Sequence, residues 1–263
     1  MNDRPGPTPH AFGLLARATY RAQTIPDGYR EAPVADPKLA ADLKTANARL
    51  FVDPSGARIV SFAGSQTFGD AVTDVAQGLG FRTAKYDAAA RIGEALRDAP
   101  VAYTGHSLGG GLARLAGATA SAFGATPKTV VTFNPAGVHA KTFAAAGLEP
   151  SGVRSDQTDY THGTDVLQGV NDLQRMSHGT RVTVGEPGAR AVERIFARED
   201  ARTFGDPETD GALKAMQALG AGASAHTLSK ILPLLPSDVE FLRNARSAPV
   251  QERGHEPPSR DGR

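Results

Sequence analysis

The stretch that most restricts this chain is PVAYTGHSLGGGLARLAG, residues 100–117: a short apolar run, a serine between glycines, then a row of small and aliphatic residues. Within it, Gly105-His106-Ser107-Leu108-Gly109 matches G-x-S-x-G. The bare pattern is weak, because a glycine-rich turn carrying an inert serine fits it too. Context narrows the choice: an exposed serine nucleophile of this type sits on a strained turn between a buried strand and a helix. On such a turn the residues two before and two after the serine press against backbone and must be small. Gly105 and Gly109 meet that need, Val101 to Thr104 reads as the strand, and Leu112 to Phe123 as the helix. Gly110 and Gly111 are expected to let that helix approach the sheet closely. The helix N-terminus presents free N–H groups and a positive dipole end where an oxyanion would form.

The flanking segments read as alternating strands and helices. Thr8-Pro9 is an N-cap followed by proline at the first helical position, with Phe12, Leu15, Thr19 and Tyr20 at helical spacing. Asp36-Pro37 repeats the signal ahead of Leu39 and Leu43. Residues 49–52 and 58–62 flank Asp53-Pro54-Ser55-Gly56, a turn sequence, and predict a hairpin. Tyr86, Ala89, Gly93 and Leu96 form one helical stripe that ends near Asp98, before Pro100; TVVTF at 129–133 is the next strand. Beyond it the regularity thins. Residues 181–184 alternate as a strand, Val192, Ile195 and Phe196 suggest a helix, 199–211 a loop, and 227–235 and 238–243 helices. These elements predict an α/β protein with a mostly parallel central sheet flanked by helices. We expect one domain over residues 1–246 and a disordered tail at 247–263, which is rich in Pro, Gly and charge.

Composition excludes several classes. Cysteine is absent, which removes disulfides, a thiol nucleophile and thiolate metal sites. The formal charge is +1 with both signs dispersed, so no basic block calls for nucleic acid. No apolar run approaches the ~18–20 residues of a transmembrane segment, and the first ten residues lack the apolar region of a Sec signal peptide. Localisation is therefore open between the cytoplasm and export by a signal-independent route.

The segment GHSLGGG resembles the nucleophile elbow of the class 3 lipase superfamily, which has the α/β-hydrolase fold. Upstream, IVSFAGSQTFGDAVTDVAQGLG is similar to that family's V-x-F-x-G-[ST] strand end and acidic D-x-x-x-D stretch; downstream, TVVTFNPAGV resembles its next strand and loop. Q-G-x-G, a Tyr-containing helix, GHSLGGG and F-N-x-A-G together resemble lipase-like effectors of bacterial contact-dependent secretion systems. The likeness is good over about residues 49–140, looser over 150–235. Ala63 and Ala71 depart from it, standing where such proteins usually carry Arg and often Trp.

A serine needs a base and an orienting carboxylate, which in α/β-hydrolases follow it in the order Asp then His. That order excludes His10 and His106; His139 and His162 come too early, and His255 lies in the tail. His178 and His226 remain. His226 is preferred because it sits in a Gly/Ala loop before an apolar helix, an arrangement the resembling effectors share; His178 precedes a strand. Asp156, Asp159, Asp165 and Asp172 are the carboxylate candidates, and Gly163-Thr164-Asp165-Val166-Leu167 resembles the family's G-D-x-[LV] segment, which selects Asp165. One oxyanion donor is the N–H of Leu108. The resemblance implies Ser65 as the other. Asp70 and Asp74 have no His or Cys companion, so no metal or other cofactor is expected. Residues 69–81 read either as an acyl-binding wall or lid, or as an ordinary amphipathic helix.

The resemblance implies a serine-dependent lipase or phospholipase with a lipid or phospholipid substrate at a membrane surface. An antibacterial effector would also have a cognate immunity protein. A small-substrate esterase or acyltransferase on the same fold is the alternative, and a non-catalytic binding protein the third.

Overall fold

Asp53 shapes the first turn. In the computed structural model, which describes residues 7–20, 24–64, 83–149, 156–162, 180–184 and 231–235, its carboxylate accepts from Ser55 N, Ser55 Oγ and Ala57 N at 2.6–2.8 Å. The turn joins β2 (Ala48–Val52) to β3 (Arg58–Phe62) as the expected hairpin, with Leu50 opposite Val60. The short strand β1 (Arg30–Glu31) adds an antiparallel edge on β2. From β3 onward pairing is parallel, through β4 (Val101–His106), β5 (Thr129–Phe133), β6 (Asp156–His162) and β7 (Thr180–Val184). The seven strands lie side by side in chain order.

A parallel sheet that grows in one direction by right-handed crossovers collects its connecting helices on one face. Helices α3 (Ala84–Ala95), α4 (Leu108–Phe123) and α5 (Ala140–Ala145) are those connections. Together with α2 (Pro37–Thr45), they bury Leu39, Phe62, Ile92, Tyr103, Leu112, Val130 and Phe143 in one core. Helix α1 (Pro9–Ala18) covers the opposite face, where Phe12 and Leu15 meet Phe51, Ile59, Val131 and Phe133. Neighbouring residues such as Leu50 and Phe51, or Val130 and Val131, thus enter different cores, as the two-residue period of a strand requires.

The predicted caps hold. Thr8 accepts from Ala11 N at 3.2 Å with Pro9 behind it, and Asp36 accepts from Lys38 N at 2.8 Å. Helix α4 is buried from Leu108 through Ala120, which explains its small residues. It meets the sheet most closely at Gly109, against Phe62, and at Gly117, against Val130, whereas Gly110 meets Pro135 of the following loop and Gly111 meets Tyr86 and Ala136.

Strand β6 was not expected. Its sequence, DQTDYTH, is polar, yet Gln157, Asp159 and Thr161 are buried. Arg114 of α4 and Thr132 of β5 satisfy Asp159, so an interior strand exists here without an apolar run. Strand β1 and helix α5 were also unanticipated. Of the segment read as a helix at 227–235, the described residues are 231–235: Ile231 is helical and leads into a 3-10 turn, Leu232–Leu234, whose Leu232 packs against Gly13 of α1. Among the described residues, no helix is long and apolar enough to cross a membrane. The expected helices at 192–196 and 238–243, the loop at 199–211 and the tail at 247–263 lie outside the described residues.

Candidate active site

Ser107 stands between β4 and α4 with φ 59° and ψ −129°, a left-handed conformation costing a non-glycine residue about 1–3 kcal/mol. Both sides of the turn hold it there. Its N–H donates to the Phe133 carbonyl at 3.1 Å, and its own carbonyl accepts from Gly110 N and Ala136 N, each at 2.9 Å. The small-neighbour rule has a direct cause. A Cβ on Gly105 would lie 2.2 Å from the Gly109 carbonyl oxygen, and one on Gly109 would lie 2.2 Å from that of Phe62. The elbow is thus wedged against the end of β3.

That wedge brings two backbone segments to the serine. Leu108 is the first residue of α4, where N–H groups have no acceptor inside the helix. On the other side lies Gly64, where an added Cβ would be 3.1 Å from the Ser107 Cβ. Ser65 comes next in the chain and lies outside the described residues. Ala63, at the position of the absent arginine, is buried, and its N–H is bonded to the Asn47 carbonyl at 3.0 Å.

His106 is directed towards α1, its Nδ1 2.9 Å from the Tyr20 hydroxyl. That hydroxyl also accepts from Gly64 N at 3.0 Å. Burial raises the Tyr20 phenol to about 12, against the smaller opposing effect of the Gly64 N–H. Sequence reasoning placed Tyr20 on a helical stripe; α1 in fact ends at Ala18, and Tyr20 departs from it towards the elbow. No spacing signal marks such a residue. Asn134 of the F-N-x-A-G stretch was also passed over. It takes φ 42°, donates its N–H to the Tyr160 carbonyl and accepts from His162 N, each at 2.8 Å, and so shapes the loop that grips Ser107.

The described carboxylates divide by position. Asp156 starts β6, at the sheet edge opposite the elbow, and is exposed. Asp159 is buried in mid-strand, where Thr132 Oγ1 and Gln157 Nε2 donate to it at 2.6 and 3.0 Å, with Arg114 Nη2 at 3.8 Å. It serves the core. Strand β6 ends at His162, on the same edge as Ser107, three residues before Asp165. His139 caps α5, accepting from Lys141 N at 3.1 Å. Asp165, Asp172, His178, His226, Asp70, Asp74, Ala71 and the whole 69–81 stretch lie outside the described residues. Of the expected set, then, the structure brings together Gly105, His106, Ser107, Leu108 and Gly109. Among the described residues, no three His, Asp or Glu cluster to hold a metal.

A serine on a strained strand-to-helix turn, beside the C-terminal end of the neighbouring parallel strand, is the arrangement of an α/β-hydrolase. The chain is 36% identical over 101 residues to an extracellular phospholipase A1 of Serratia liquefaciens; the match takes in 37% of this chain and spans 30% of that relative's length. The Lip2 lipase of Yarrowia lipolytica, a solved structure, covers 68% of this chain and 78% of its own, at a TM-score of 0.43 and 17% identity. The model of the phospholipase-like family, described as the Tle-like phospholipase domain, matches residues 11–218, so this chain belongs to that family.

Proposed function

We propose that the chain hydrolyses carboxylic esters of phospholipids through an acyl-enzyme on Ser107. The strained elbow carries the proposal, because it sets Ser107 at the start of a helix and against the end of β3. Ser107 Oγ attacks the ester carbonyl while His226 takes its proton, and Asp165 holds the imidazole and balances its charge. The N–H groups of Leu108 and Ser65 receive the oxyanion. Collapse breaks the C–O bond, and the imidazolium returns its proton to the departing alkoxide. Water, deprotonated by the same histidine, then releases the fatty acid and restores Ser107. One oxyanion donor of this kind is worth about 2.7–4 kcal/mol.

The family supports phospholipid over neutral lipid, and the relative named a phospholipase A1 supports an acyl ester as the bond cut. The effector role, with a cognate immunity protein and delivery by a contact-dependent machine, rests on the sequence resemblance alone.

The test is product analysis by mass spectrometry on vesicles of mixed bacterial phospholipids, with Ser107→Ala as control. Free fatty acid and lysophospholipid from the wild type alone are expected. Cleavage of short-chain nitrophenyl esters without any action on vesicles would instead favour a small-substrate esterase. Loss of activity in His178→Ala but not in His226→Ala would reassign the base.

A further inference from the structure

We propose that Tyr20 is a positioning residue for this reaction: its hydroxyl sets the gap between the end of β3 and the turn that carries Ser107. The inference rests on the reading of Ser107 as nucleophile. The last register pair of the β3–β4 ladder is Phe62 with Gly105. Beyond that pair the ladder ends, while the Ala63 N–H, donating to the Asn47 carbonyl, continues the pairing of β3 towards β2. Strands β3 and β4 therefore part at the point where the oxyanion site must open. Tyr20 spans the parting, its oxygen 3.0 Å from Gly64 N on one side and 2.9 Å from His106 Nδ1 on the other.

A phenol has one proton to give, and its oxygen accepts as well. The Tyr20 oxygen accepts from Gly64 N–H and shares a second hydrogen bond with His106 Nδ1. Burial raises the phenol to about 12, so it stays protonated at any ordinary assay pH. The Gly64 N–H is thereby committed to Tyr20. A Cβ on Gly64 would lie 2.7 Å from the Tyr20 oxygen, 2.7 Å from the His106 carbonyl and 3.1 Å from the Ser107 Cβ. Gly64 thus lies close against the tyrosine, the end of β4 and the serine alike. Tyr20 itself is held from behind, since its N–H donates to the Arg17 carbonyl at 3.1 Å and Thr19 Oγ1 lies 2.7 Å from Ser61 Oγ of β3.

Tyr20→Phe keeps the ring and removes the bridge. Losing an oxyanion donor outright typically lowers kcat roughly 10²–10³-fold, and a displaced donor costs less. With a short-chain nitrophenyl ester, and rates normalised to sites titrated with a fluorophosphonate, kcat should fall about tenfold or more while KM stays within about twofold. Affinity for an alkyl boronic acid, which forms a tetrahedral adduct on the serine, should fall by the same factor as kcat/KM. Asp53→Ala is the structural control: it removes the turn bonds at the far end of β3 and should lower Tm while leaving kcat per titrated site unchanged. The proposal is overturned by an unchanged kcat in Tyr20→Phe, by a loss confined to KM, by unaltered boronate affinity, or by an equal kcat loss in Asp53→Ala. Turnover that survives Ser107→Ala overturns the serine reading, and the role of Tyr20 with it.

Discussion

Arg114 Nη2 and Asp159 Oδ2 lie 3.8 Å apart with both side chains 2% exposed, joining the helix that follows the elbow to an interior strand. Burial pulls the guanidinium down from its usual range, and the Asp159 charge pushes it back. A buried pair need not add net stability, but removing one partner strands the other. Asp159→Asn keeps an acceptor for Thr132 but removes the negative charge that faces Arg114. It should cost about 3–5 kcal/mol in denaturant unfolding. Arg114→Met combined with Asp159→Asn should recover most of that loss. Additive effects of the two substitutions would show that the pair does not act as a unit.

Gly109 faces backbone that cannot retreat, the Phe62 carbonyl and Ala63. Gly109→Ala should therefore push β3 away from Ser107, destabilise by about 1–3 kcal/mol and remove most esterase activity. Wild-type kcat in a folded Gly109→Ala protein would mean that the spacing of β3 and the elbow is not critical.

The φ of 59° at Ser107 stores strain that only glycine relieves. Ser107→Gly should unfold at a higher temperature than Ser107→Ala, by about 2–4 °C for each kcal/mol released in a chain of this size. Both should be inactive. Equal melting temperatures would argue against strain at the elbow.

Burial raises Tyr20 from 10.0 to about 12, and it also raises Tyr86, Tyr103 and Tyr160. Above about pH 10 the unfolded chain releases phenolic protons that the folded chain keeps, so stability present below that pH falls as pH climbs towards about 12. Chemical denaturation across this range should show the decline, less steeply for Tyr20→Phe. An identical slope in that variant would mean that Tyr20 titrates alike in both states.

The legible parts of the fold were those in which a local rule acts alone. Thr8-Pro9 and Asp36-Pro37 announced their helices because capping is decided within four residues. The Asp53 turn announced its hairpin for the same reason. Strand β6 was hidden because its buried residues are polar and their partners, Thr132 and Arg114, lie far off in sequence. The elbow was legible through Gly105 and Gly109, whose smallness is a local signature of a tertiary contact. Tyr20 was not, because a hydroxyl bridging residues 44 and 86 positions away leaves no periodic trace.

Covalent capture at Ser107 tests the central claim most directly. A nitrophenyl alkylphosphonate should add to the folded protein once, peptide mapping should place the adduct on Ser107, and hydrolysis of phospholipid vesicles should fall in proportion to the fraction modified. Vesicle hydrolysis that continues with Ser107 fully modified would contradict the account.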